Sequence, residues 1–194
     1  MTKSFVWLIL AILIIERIIE TVLPDRKKEK GKVTGKWVFY CFLISGFACY
    51  GLGIFEFAFR VTEVNVWVTS AGIGLIAARV ALKIWAVTTL GKYWSIQIEI
   101  REGHKLIKEG PYKFVRHPSY LSTLIEVTAG PLILNAYYTL IFVWLVYFPF
   151  MLMRIWLEET ELLKKFGKEF EEYREKVPLI IPFLKSSKDR VNDL

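Results

Sequence analysis

Two stretches of this chain gather side-chain types that can bind ions, move protons or hold a ligand. The first, from Gln97 to Tyr120, reads QIEIREGHKLIKEGPYKFVRHPSY and contains both histidines of the protein, His104 and His117. Zinc chemistry is a poor reading of them, because two imidazoles without nearby thiolates or an H-E-x-x-H pattern supply too few organised ligands. Gly110-Pro111 forces a turn and Pro118 suits the first turn of a helix, so the residues by themselves fit an ordinary cytoplasmic loop as well as a site. The second stretch is RIWLEE, in which Arg154 and Glu158 stand four apart and share one face of an expected helix. Spacing alone favours an interfacial ion pair with a snorkelling arginine. Glu126 lies inside an apolar run, where an ionisable group is expensive and faces a cavity or a partner, or else stays protonated and bonded to a neighbouring helix. Arg79 and Lys83 share a face near the end of another run and read as snorkelling anchors.

The elements that position these groups are long and apolar. Of 194 residues, 54% are hydrophobic and 15% aromatic, and they are segregated into blocks separated by basic segments. A helix needs roughly 20 apolar residues to cross the hydrocarbon of a bilayer. The runs extend over 4–22, 37–59 and 64 to about 87, and a longer one over 118–157 is interrupted at Gly130, Pro131 and Asn135, as expected of a helical hairpin. Basic residues cluster after the first run (Arg26, Lys27, Lys28, Lys30, Lys32, Lys36) and after the third (Lys92, Arg101, Lys105, Lys108, Lys113, Arg116), which marks both segments as cytoplasmic. Only Arg60 marks the opposite side. Glu158 to Tyr173 keeps a helical pattern, with Gly167 in its middle, and continues the last span into the cytoplasm.

The expectation is therefore an all-α integral membrane protein with five transmembrane helices, the last two a hairpin, the N-terminus outside and the C-terminus cytoplasmic. The first run reads as a retained span, since no small-residue cleavage site precedes the basic segment. The net charge of +7 flanks apolar runs and forms no interleaved basic and aromatic surface, so membrane topology accounts for it better than nucleic-acid binding. Cys41 and Cys49 share one apolar run and suggest neither a disulfide framework nor a thiolate metal site.

Taken together, Gly91-x-x-Trp94-Ser95, His104-Lys-Leu-Ile, Gly-Pro-Tyr112, Arg116-His-Pro-Ser-Tyr120, Arg154-x-x-x-Glu-Glu and Phe166-Gly-Lys-Glu-Phe-x-x-Tyr173 occur in an order and spacing similar to the isoprenylcysteine carboxyl methyltransferase family. The resemblance covers about 91–182. It implies a cofactor-binding methyltransferase region over 88–185, following a three-span membrane region over 1–87 and preceding a polar tail over 186–194. It implies S-adenosylmethionine, enclosed at the cytoplasmic face by the segment before the hairpin and the C-terminal helix. The cofactor contacts it implies are Gln97, His104, Lys105, Leu106, Ile107, Tyr112, His117, Pro118, Ser119, Tyr120 and Glu158. Arg154 matches the family's substrate-side arginine, expected to hold an oxygen nucleophile, and the neighbouring Glu159 is the alternative to Glu158 for a register shifted by one residue. The implied partners are membrane lipids and a lipophilic small molecule or prenylated substrate entering through a gap between spans.

Glu126 is not part of the prenylcysteine pattern, and with Pro131 it resembles the branch of alkylpyrone and phenolic-lipid O-methyltransferases, which makes it a candidate substrate-side residue. The implied chemistry suits the residue types. Methyl transfer from a sulfonium needs in-line alignment and an ionised oxygen, and a carboxylate is ionised at neutral pH without a dedicated base. An arginine offering paired hydrogen bonds is the expected partner of that anion. Two other readings are a sterol-type membrane reductase with a nicotinamide cofactor, separable by cofactor binding, and a non-catalytic adaptor. A transporter is disfavoured by the lack of a repeat and by the small number of intramembrane polar groups.

Overall fold

The structure is a computed structural model that describes residues 2–22, 32–33, 35–94, 99–100 and 105–182. Every apolar run forms a helix. These are α1 (Lys3–Val22), α2 (Lys36–Phe59), α3 (Val66–Leu90) and α4 (Pro118–Leu134), then α5 (Tyr137–Phe142), a π-helical turn (Val143–Tyr147) and α6 (Phe148–Phe166), with α7 (Lys168–Lys176) last. Among the described residues, three helical stretches are long and apolar enough to cross a membrane: Lys36–Phe59, Val66–Tyr93 and Tyr137–Phe166. Large apolar side chains such as Phe47, Phe59, Trp67, Leu145 and Trp156 point outward from them, the arrangement of an integral membrane protein. Beside the helices, Lys32–Val33 (β1) pairs antiparallel with Glu99–Ile100 (β2). The two basic segments expected on one face thus meet there.

α4 is the centre of the bundle. It is 17 residues long, about 25 Å at 1.5 Å per residue, and it packs against α1, α2, α3 and α5. Its closest neighbour is α3, where Gly72 lets two backbones approach: a Cβ there would lie 2.7 Å from Ile133 Cγ1 and 2.9 Å from Ile133 N. Asn135 ends α4 in the left-handed region, at φ 55°, and turns the chain into α5. Its side chain accepts from Asn65 N (2.7 Å) and donates to Thr69 Oγ1 (2.8 Å), which ties the turn to the start of α3. Glu56, buried on α2, accepts from the Tyr138 and Thr139 amides (3.0 and 2.8 Å) and from the Thr139 hydroxyl, so a carboxylate from another helix satisfies the open N-terminus of α5. The hairpin expected at Gly130, Pro131 and Asn135 is therefore built at Asn135.

The long helix Tyr137–Phe166 widens to a π turn directly before Pro149. There the Phe148 amide bonds back to Val143 O, which makes room for a proline ring that would otherwise crowd the preceding turn.

Three expectations need correction. α3 runs on through Leu90 instead of ending near Val87. The helix after Glu158 breaks at Gly167, whose φ of 52° favours glycine, and α7 starts anew. Arg79 does not snorkel. It is 2% exposed, and its Nε and Nη2 donate to Glu126 Oε2 at 2.8 and 2.6 Å, while Nη1 meets Glu16 on α1. Glu126 also accepts from the Tyr50 hydroxyl at 2.7 Å. An arginine in mid-helix with a carboxylate across the interface is better served by pairing than by reaching for water.

Candidate active site

The start of α4, the middle of α6 and the chain after α7 converge on one place. The backbone amides of Arg116 and His117 donate to Pro178 O and Leu179 O (2.9 and 3.1 Å), so the segment after α7 lies across the entry to α4. The Arg116 guanidinium fastens the junction: Nε donates to Glu159 Oε1 (2.7 Å), and Nη1 to Val177 O (2.6 Å) and Arg174 O (2.8 Å). His117 Nε2 lies 3.1 Å from the same Glu159 oxygen. Glu159, the out-of-register neighbour of the sequence reading, is thus the carboxylate that anchors α6 to the Arg116-His117 pair.

One position earlier on α6, Glu158 faces the first turn of α4. The Tyr120 hydroxyl donates to Glu158 Oε2 at 2.7 Å and accepts from Arg154 Nε at 2.9 Å. Arg154 and Glu158, four apart on the helix, are therefore bridged through a tyrosine and are more than the surface ion pair that spacing alone suggested. Arg154 is 5% exposed, and its guanidinium carbon lies 5.2, 5.1 and 5.8 Å from the ring centres of Phe39, Phe42 and Tyr120. Phe39 and Phe42 belong to α2. Sequence reasoning missed them because aromatic residues at a membrane edge carry no mark that separates a lipid-facing ring from one turned toward a cation.

Around this core lie the other expected contacts. Tyr112 is buried, its carbonyl accepts from the Tyr173 hydroxyl (2.6 Å) and its own hydroxyl lies 3.5 Å from Ala86 O. Burial pushes the Tyr112 hydroxyl up to about 12, and burial likewise raises Tyr173, so both remain neutral hydrogen-bonding groups at physiological pH. Pro118 is buried at the first turn of α4. The Ser119 hydroxyl, close to that of Tyr112, is buried with no hydrogen bond of ordinary geometry among the described residues. Leu106 packs on Phe170, Tyr173 and Val177, Ile107 is half-buried, and Lys105 is exposed. Gln97 and His104 lie outside the described residues. Glu126 joins a different network, that of Arg79 and Tyr50, and borders an apolar cleft with Leu10, Leu13, Gly53 and Pro131. Among the described residues no cluster of His, Cys, Asp and Glu could hold a metal ion.

Chemically, the arrangement offers a fixed cation, a phenol and a carboxylate joined by hydrogen bonds where the first turn of α4 meets the middle of α6. An arginine there can hold an oxyanion, and the carboxylate can accept from hydroxyl or amino groups.

Comparison with known proteins bears on the same region. Residues 72–164 match the isoprenylcysteine carboxyl methyltransferase (ICMT) family, a span that contains Tyr120, Arg154 and Glu158. The chain is 31% identical over 141 residues to the uncharacterized protein YpbQ of Bacillus subtilis, with 69% of this chain and 82% of that protein covered. It is 35% identical to protein-S-isoprenylcysteine O-methyltransferase B of Arabidopsis thaliana over 61% of each chain. It is 32% identical to the Schizosaccharomyces pombe protein-S-isoprenylcysteine O-methyltransferase over 62% of this chain and 51% of the other. The chain thus spans about half to six tenths of the length of these two methyltransferases. The solved structure of a eukaryotic intramembrane Ras methyltransferase, ICMT, superposes with a TM-score of 0.63 and 25% identity, covering 74% of this chain and 52% of that one. The family match takes in the helices that carry the Arg154-Tyr120-Glu158 line, and the chain belongs to the isoprenylcysteine carboxyl methyltransferase family.

Proposed function

We propose that this protein is a membrane-embedded O-methyltransferase that uses S-adenosylmethionine to methylate an ionised oxygen on a lipophilic acceptor. The observation that carries the reading is the single hydrogen-bonded line of Arg154, Tyr120 and Glu158, with the guanidinium buried among aromatic rings. Family membership and the relatives named as O-methyltransferases support it.

The residues present fit the cofactor. Ser119 keeps a buried hydroxyl without a hydrogen bond of ordinary geometry among the described residues, beside the neutral Tyr112 phenol. Tyr112 and Tyr120 offer flat apolar faces, and Glu158 can accept from ribose or amino groups. We assign cofactor holding to Gln97, His104 to Ile107, Tyr112, His117 to Tyr120 and Glu158. When bound, S-adenosylmethionine supplies an electrophilic methyl group on a sulfonium.

What the chain does is orient and neutralise. Arg154 anchors the acceptor oxyanion by charge-assisted hydrogen bonds, and Tyr120 fixes that arginine relative to Glu158. Because a carboxylate or an acidic enol is already ionised near neutral pH, no residue has to remove a proton. Holding the anion in the line of attack supplies the rate advantage of proximity, and burial strengthens each ionic contact. Two acceptor classes meet this description: the carboxylate of a prenylated cysteine and the acidic hydroxyl of a long-chain alkylpyrone. We place the acceptor's apolar part within the bilayer-facing bundle, with Glu126 on its path, in a topology of five spans with the N-terminus outside and the site at the cytoplasmic face.

The test is transfer of a labelled methyl group from S-adenosylmethionine by the detergent-purified protein to farnesylcysteine and alkylpyrone acceptors. Label is expected in the lipid-soluble product as a methyl ester or methyl ether. Absence of transfer to either class by protein that remains folded would contradict the proposal.

A further inference from the structure

We infer that Phe39 and Phe42 of α2 are positioning residues for acceptor binding, because they hold the plane of the Arg154 guanidinium; the inference rests on Arg154 being the oxyanion anchor. Three residues apart, the two phenylalanines share a face of α2, and both rings stand close to 5 Å from the guanidinium carbon, at 5.2 and 5.1 Å. Tyr120 adds a third ring at 5.8 Å and the hydrogen bond from Nε. Phe42 is braced in turn by the buried Tyr147, 4.8 Å between ring centres, on the π turn that precedes Pro149. The widened turn, the α2 aromatic pair and Arg154 therefore form one packed unit.

The physical need is specific to arginine. Its long stem has many rotamers, and at a membrane edge the charged head gains by swinging toward water. A pair of parallel N–H···O bonds to an oxyanion forms only when guanidinium and anion are coplanar. Rings stacked on a desolvated guanidinium are attractive and fix that plane without competing for its N–H groups. Among the cofactor residues proposed above, none lies on α2. Loosening the cage should therefore act on the acceptor and spare the cofactor.

The experiment compares the parent with Phe39→Leu, Phe42→Leu and the double variant, using labelled methyl transfer to whichever acceptor the parent accepts, with S-adenosylhomocysteine binding measured alongside. The double variant is expected to raise KM for the acceptor roughly five- to thirtyfold, the span from an exposed to a desolvated cation–π contact. Its kcat should stay within about twofold of the parent, as for loss of ground-state binding. Affinity for S-adenosylhomocysteine should hold, and Phe42→Tyr, which keeps a ring, should return KM toward the parent. An unmoved KM in an active protein would overturn the inference alone. So would cofactor affinity falling in step with KM, or tyrosine doing no better than leucine, since either marks a merely structural role. A parent that methylates no acceptor would overturn the reading of Arg154 and this inference with it.

Discussion

Arg154→Lys is expected to lower kcat/KM for the acceptor by about a hundredfold, and Arg154→Ala by about a thousandfold, with S-adenosylhomocysteine affinity little changed in the lysine variant. The magnitude follows from the contacts. A hydrogen bond to a charged group is worth about 1.5–3 kcal/mol, and 1.36 kcal/mol is a factor of ten in rate. Lysine keeps the charge but loses the planar fork, the guanidinium's cation–π contacts with Phe39 and Phe42 and the Nε bond to Tyr120. Alanine also leaves the acceptor anion unpaired in a buried place. Steady-state methyl transfer with acceptor and cofactor varied separately checks both variants. A lysine variant as active as the parent would show that point charge alone suffices and that the caged geometry is irrelevant.

The second large effect concerns folding. Glu126→Leu is expected to cost about 3–5 kcal/mol of stability, the usual penalty for breaking a buried ion pair from one side. Arg79→Met should cost less. A carboxyl group left without its cation can be neutralised by a proton and still accept from Tyr50, whereas a guanidinium cannot shed its charge. The double variant Arg79→Met with Glu126→Leu should be more stable than Glu126→Leu alone, because no buried guanidinium is stranded and Glu16, the other partner of Arg79, is partly exposed. Thermal unfolding of the purified proteins in one detergent, followed by circular dichroism, gives the order. Additive losses in the double variant would mean that the two side chains do not act as a pair.

How much of this was legible from residues differs by level. The apolar runs marked every long helix, because a bilayer imposes a length and a composition that sequence displays directly. Asn135 was readable as part of a hairpin turn, since few residues tolerate the left-handed region it adopts. The π turn was not readable: it reconciles Pro149 with a continuous helix, and a proline alone does not say whether a helix ends, kinks or widens. Arg79 was misjudged because its partner Glu126 lies 47 residues away on another helix, and periodicity along one helix cannot see across an interface. In the site, the order of motifs pointed to Tyr120, Arg154 and Glu158, yet their bridging through one hydroxyl is a tertiary fact. Glu56 capping α5 and the α2 rings around Arg154 are likewise long-range arrangements, invisible to local pattern.

The central claim, that the junction of α4, α6 and the chain after α7 holds S-adenosylmethionine, is tested most directly by calorimetric titration of S-adenosylhomocysteine into the detergent-purified protein, with Glu158→Ala and His117→Ala beside it. Saturable binding in the parent that is lost or weakened at least about tenfold in both variants, as expected for removing a charge-assisted hydrogen bond at a buried site, is the predicted result. No binding to folded parent protein, or binding that neither substitution alters, would contradict the account.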